Sequence, residues 1–112
     1  MDVDSVIKEA HTIARDFGLK LRIIDITDNI VNIKISLDTD LFIQVYANQL
    51  KDKLNMNLIL KNRRLYGYDS EGGRTHCHPI ENPESHRFTT KRIELREFVI
   101  TALHFLEEQQ LL

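Results

Sequence analysis

An α+β fold is predicted: five antiparallel strands in a meander, with an N-terminal and a C-terminal helix packed on one face. Three observations predict it. An apolar stripe of helical period opens the chain, and a second one closes it. Between them, apolar and polar residues alternate in short runs divided by turns. The 112 residues, 42% hydrophobic and 29% charged, read as a single domain over 1–112 that can bury a core. Its expected parts are a helix over 1–18, strands over 19–69, a polar histidine-bearing loop over 70–90 and a helix over 91–110.

The first helix rests on Val3, Val6, Ile7, Ala10, Ile13, Ala14 and Phe17, which fall on one stripe. Asp2 or Asp4 can cap its start, and Gly18 can supply a left-handed residue at its end. Beyond Gly18 the period becomes two. Leu19, Leu21 and Ile23 alternate with Lys20 and Arg22, and the adjacent pair Ile23-Ile24 predicts a bulge before Ile26. The turn Thr27-Asp28-Asn29 leads to Val31, Ile33, Ile35 and Leu37. Asp38-Thr39-Asp40 leads to Leu41, Ile43, Val45 and Ala47, with Phe42, Gln44, Tyr46 and Asn48 on the other face. After Lys51-Asp52-Lys53 come Leu54, Met56, Leu58 and Leu60. A tight turn at Asn62-Arg63 then leads into Arg64-Leu65-Tyr66-Gly67-Tyr68. Connections this short permit only antiparallel neighbours. The closing helix places Leu95, Phe98, Val99, Ala102, Phe105 and Leu106 on one stripe. Ile100, Leu103, Leu111 and Leu112 lie off it, a surplus that predicts a homodimer through this helix or a helix wedged between other elements.

Composition narrows the class. The single cysteine, Cys77, permits no internal disulfide, as expected of a cytoplasmic protein, and is expected as a packed thiol. No apolar run is long enough for a bilayer, so no membrane association is expected. The acidic, amphipathic N-terminus does not read as a signal peptide. From Lys61 to Arg92 seven basic residues face four acidic ones, a local +3 within a chain of net −2. A basic, histidine-bearing segment on an acidic body points to an anionic ligand, although a charge run is also a common solvated face.

The residues that can carry chemistry lie in RRLYGYDSEGGRTHCHPIENPESHRF, 63–88. In an extended backbone His76 and His78 point to one side and Cys77 to the other, and His86 is close enough to fold back. One reading is metal-free cleavage of RNA through its own 2′-hydroxyl, with His76, His78 and His86 supplying base and acid. Arg63, Arg64, Arg74 and Arg87 would hold phosphate, and Tyr66 or Tyr68 would stack on a base. A second reading is a divalent metal held by His76, His78, His86 and Asp69; the first reading needs no cofactor. A third is purely structural: polar loop side chains that satisfy the loop's own backbone. His11 and His104 read as surface residues, and Gly72-Gly73 lacks the context of a phosphate-binding loop.

The run FIQVYAN, LNMNLIL, RLYGYDSEGG and THCHPIENPESH, within 42–88, resembles small prokaryotic proteins grouped with the TumE-type toxins of toxin–antitoxin pairs. The resemblance covers under half the chain and touches Arg64, Tyr66, Asp69, His76, His78, Pro79 and His86. The chain departs from that family in having no adjacent His-His pair and no tryptophan. The resemblance implies a small cytoplasmic toxin acting on RNA, with an antitoxin protein as partner. The alternatives are a non-catalytic protein- or nucleic-acid-binding module and a metal-dependent hydrolase.

Overall fold

The computed structural model describes residues 1–89 and 92–112. The order is α1 (Val3–Phe17), β1 (Lys20–Ile26), β2 (Ile30–Asp38), β3 (Leu41–Asn48), β4 (Lys53–Leu60), β5 (Arg63–Glu71), β6 (Arg74–His78), β7 (Arg87–Thr89) and α2 (Leu95–Glu108). The strands form one antiparallel sheet in sequence order, β1 to β7. The α+β class, the meander and the two terminal helices are as predicted. The strand count is corrected from five to seven, because β6 and β7 arise within the stretch expected to be loop. The predicted helix start at Lys91, like the loop end at Thr90, lies outside the described residues.

Local chemistry sets the boundaries. Asp2 caps α1 by accepting from the Asp4 amide at 3.3 Å, and Gly18 ends the helix at φ 68°. The β4–β5 turn is Lys61-Asn62, one residue earlier than predicted. Both residues have positive φ, 50° and 65°, as a two-residue hairpin whose twist matches its strands requires. Gly72-Gly73 makes the same kind of turn between β5 and β6, at φ 56° and 88°. The bulge foreseen in β1 is present: Ile23 pairs with Ile33 and Asp25 with Asn32, leaving Ile24 extra. Arg92 precedes α2 and is drawn back to the sheet, donating to Ser70 Oγ at 3.1 Å and Asp52 Oδ1 at 3.3 Å.

Both helices cover the apolar face. Val31, Ile33, Ile35, Ile43, Val45, Ala47 and Leu58 are fully buried beneath Ala10 and Ile13 of α1 and Phe98, Val99, Ala102 and Leu106 of α2. The helices are also tied to each other by Arg96, which donates to Asp16 Oδ2 at 2.7 Å. No helix among the described residues is long and apolar enough to cross a membrane.

Register decides which face β5 and β6 offer. Tyr66 pairs with Leu58, Tyr68 with Met56, and Cys77 with Tyr68, so these three side chains share the covered face. Tyr66 stacks flat on Phe98, with centroids 4.9 Å apart and an interplanar angle of 5°, and Tyr68 meets both rings edge-on. Burial, with Tyr68 beside it, pushes the Tyr66 phenol well above its ordinary value. Burial and the hydrogen bond with Cys77 raise Tyr68. Folding therefore holds both phenols protonated. That stabilisation is fully present below the ordinary tyrosine value of about 10, and is lost as pH rises toward the raised folded values. Urea midpoints are expected to fall above that pH, because the unfolded chain releases the phenolic protons first. The double variant Tyr66→Phe, Tyr68→Phe should lose less stability over the same alkaline range; an unchanged alkaline slope would refute the assignment.

Candidate active site on the uncovered sheet face

The alternate positions of β4 to β7 face away from the helices and converge on one patch. Across the Gly72-Gly73 turn, Glu71 pairs with Arg74, Asp69 with His76, and Gly67 with His78. His76 in turn pairs with Phe88 on β7. On the β4 side, Asn55 lies opposite Asp69 and Lys53 opposite Glu71. A single cross-strand row thus reads Tyr46, Asn55, Asp69, His76, Phe88.

His78 is the anchor of the patch. It is only 2% exposed. Its Nε2 lies 2.9 Å from Asp69 Oδ2, and its Nδ1 lies 3.1 Å from the Pro83 carbonyl oxygen. Both ring nitrogens are thus engaged within the chain, and with its burial this sets His78 apart from His76 and His86 and makes it a brace for the loop that follows it.

That loop returns His86 to the patch. Two consecutive turns, Asn82 N to Pro79 O and Ser85 N to Asn82 O, both at 3.1 Å, fold it back. The Ser85 hydroxyl adds a bond to Asn82 O at 2.8 Å. His86 then packs on His78, with centroids 4.4 Å apart, and stands 5.9 Å from His76. On its other side His76 meets the Phe88 ring at 4.5 Å. All three predicted histidines therefore converge, with different exposure: His78 buried, His76 half-buried and His86 exposed.

Beside them opens a cavity of about 390 Å³ lined by Lys53, Asn55, Asp69, Ser70, Glu71, Arg74, His76 and His86. Its size falls within the roughly 300–1,000 Å³ of small-ligand sites. Lys53 is 3.7 Å from Glu71, and its ammonium is 6.0 Å from the Tyr46 ring. Further along the same face, Lys34 sits 4.0 Å over Phe42. The uncovered face thus interleaves cations with aromatic rings.

The remaining predicted residues separate. Arg74 lines the cavity. Arg64 reaches across Gly67: a Cβ built there would meet Arg64 Cδ at 3.2 Å and Asn57 Oδ1 at 2.4 Å, so glycine alone fits without displacement. Arg63 is exposed at the Lys61-Asn62 turn, away from the histidines. Arg87 follows Cys77 onto the other face and pairs with Glu81 at 3.3 Å. Tyr66 and Tyr68 are corrected outright, because their rings are on the covered face and cannot stack on a base bound at the histidines. Exposed Phe88, 74% accessible, is the aromatic group on the histidine side. The metal reading is not supported: among the described residues no three His, Cys, Asp or Glu side chains are placed to hold a metal ion.

Sequence reading does not mark Phe88 or Lys53 as site residues. A two-residue Gly-Gly turn fixes the register of β5 on β6, and from it the row Asp69–His76 follows directly. No family model, curated protein or solved structure matches the chain.

Proposed function

We propose that this chain is a small toxin-like protein of a toxin–antitoxin pair that cleaves single-stranded RNA by histidine acid–base chemistry. The observation that carries the reading is the convergence of His76 and His86 beside an open cavity, over a His78–Asp69 pair that fixes the loop bearing His86. The resemblance carried by Arg64, Tyr66, Asp69, His76, His78, Pro79 and His86 supports the toxin context. In this reading one of the two accessible imidazoles takes the proton of a ribose 2′-hydroxyl. The 2′-oxygen then bonds to phosphorus, and the other imidazole protonates the departing 5′-oxygen. The products are a 2′,3′-cyclic phosphate and a 5′-hydroxyl. Arg74 and Lys53 offset charge developing on the phosphorane, and Phe88 offers a stacking surface to a neighbouring base.

The test is incubation of the purified protein with a single-stranded RNA, its DNA counterpart and an RNA bearing a single 2′-deoxy residue. RNA cleavage that persists in a chelator, ends in cyclic phosphate and skips the 2′-deoxy position is expected. Growth arrest on expression, relieved by the double variant His76→Ala, His86→Ala, is the cellular counterpart. Stacking and binding of RNA without cleavage would replace this reading with the non-catalytic module.

A further inference from the structure

β1 ends the sheet on the side away from the histidines, and no strand among the described residues covers its outer edge. Natural sheets blunt such edges with charges, bulges or a covering element. Here a bulge and charges are present, yet the edge strand also exposes apolar side chains: Ile23, Ile24 and Ile26 are 37%, 45% and 52% accessible. Its charges are arranged in a particular order. Arg22 lies opposite Lys34 on β2, a like charge, and Asp25 lies opposite Asn32. Neither Arg22 nor Asp25 forms an ion pair among the described residues.

The bulge makes this order self-complementary. In a regular strand, residues three apart point to opposite faces. The extra residue Ile24 cancels that, so Arg22 and Asp25 share the uncovered face, paired to Lys34 and Asn32. Leu21, Ile23 and Ile26 share the covered face, paired to Ile35, Ile33 and Val31. A second copy of β1, laid antiparallel about a two-fold axis level with the Ile23–Ile24 step, is matched from Leu21 to Ile26. Arg22 meets Asp25 of the second copy, twice. Leu21 meets Ile26, twice. At the centre exposed Ile23 meets exposed Ile24 of the second copy, twice. An isologous interface needs this self-complementarity.

We infer that the chain forms a homodimer by antiparallel pairing of β1 with β1 of a second copy, held by reciprocal Arg22–Asp25 contacts and an isoleucine centre. The sheet then runs continuously through both copies. All four helices lie on one side, and the two histidine patches lie at opposite ends of the other. Arg22 gains the opposite charge that its own chain does not provide.

Charge exchange tests the register. Light scattering after size exclusion, across a concentration series, is expected to give the mass of two chains for the unaltered protein. Arg22→Asp places Asp against Asp twice and should weaken the dimer by about tenfold to a hundredfold, given the usual worth of cross-strand charge pairs. Asp25→Arg should do the same. The double variant Arg22→Asp, Asp25→Arg exchanges the partners and should restore the dimer. Circular dichroism and a urea midpoint establish that each variant is folded. A monomer at every concentration, or a dimer unmoved by either single exchange, overturns the inference. Loss of the dimer in Ile100→Asp but not in Arg22→Asp would move the interface to α2 and overturn it equally.

Discussion

His86→Ala and His76→Ala are each expected to lower RNA cleavage by about 10²–10⁴-fold, the usual contribution of a positioned general acid or base. The expectation rests on the division of roles among three imidazoles. His78 is not expected to stand in for either neighbour, because its nitrogens are engaged by Asp69 and the Pro83 carbonyl. A pair acting in one step should also be non-additive, so the double variant should fall little below the worse single one. The pH–rate profile separates the roles. An unaltered protein using one base and one acid gives a bell, and each single variant should lose one limb. Asp69→Asn should leave both limbs in place while raising KM, since it loosens the bracing of the loop rather than removing a proton-transfer group. A single variant with undiminished cleavage would remove that histidine from the mechanism.

Phe98→Ala is expected to cost about 3–5 kcal/mol, the range for truncating a buried aromatic side chain. Phe98 is fully buried and is the ring on which Tyr66 stacks and Tyr68 abuts. Its loss would open a cavity where α2 meets the sheet and leave both tyrosine rings without their contact. Phe88→Ala is the matched control. That ring is three-quarters exposed, so its removal should change stability by no more than about 0.5 kcal/mol. It should instead weaken RNA binding, by the roughly 1–3 kcal/mol of one base–aromatic stack. Urea unfolding and RNA titration on the same pair of proteins measure both effects. If both variants lost stability alike, the assignment of one ring to core and the other to ligand would fail.

The sequence announces its structure unevenly, and the reason is physical. Strands β2 to β4 are legible because one face of each is buried under helices, which forces strict alternation such as Val31, Ile33, Ile35 against Asn32, Lys34, Ser36. The bulge at Ile24 is legible for the same reason, as a break in that alternation. Strands β6 and β7 escape notice because their covered positions near the sheet end are Thr75, Cys77 and Arg87, which carry no apolar rhythm. In the site, the shared side of His76 and His78 follows from strand geometry alone. The return of His86 does not, since it depends on two turns between Pro79 and Ser85. Tyr66 and Tyr68 drew attention as aromatics near arginines. Counting regularly from the Lys61-Asn62 turn sets Leu58 against Leu65 and leaves both tyrosines on the uncovered face. A register shift between Leu58 and Ile59 instead brings Tyr66 opposite Leu58 and Tyr68 opposite Met56, which alternation alone does not reveal.

The strictly sequential order of the sheet bears on how the protein folds. Each strand bonds only to those just before and after it, so no pairing waits on closure of a long loop except the docking of α2. For a largely β domain this is a low contact order, and the sheet can grow hairpin by hairpin at speeds usual for mixed folds rather than sandwiches. The helices pack chiefly over β1 to β4, so β6 and β7 are the last pieces such growth would add and the first that thermal opening would release. The histidines of the uncovered face therefore belong to the least anchored hairpin of the sheet, where the RNA strand of the proposed reaction would be admitted by local fraying while the core stays intact.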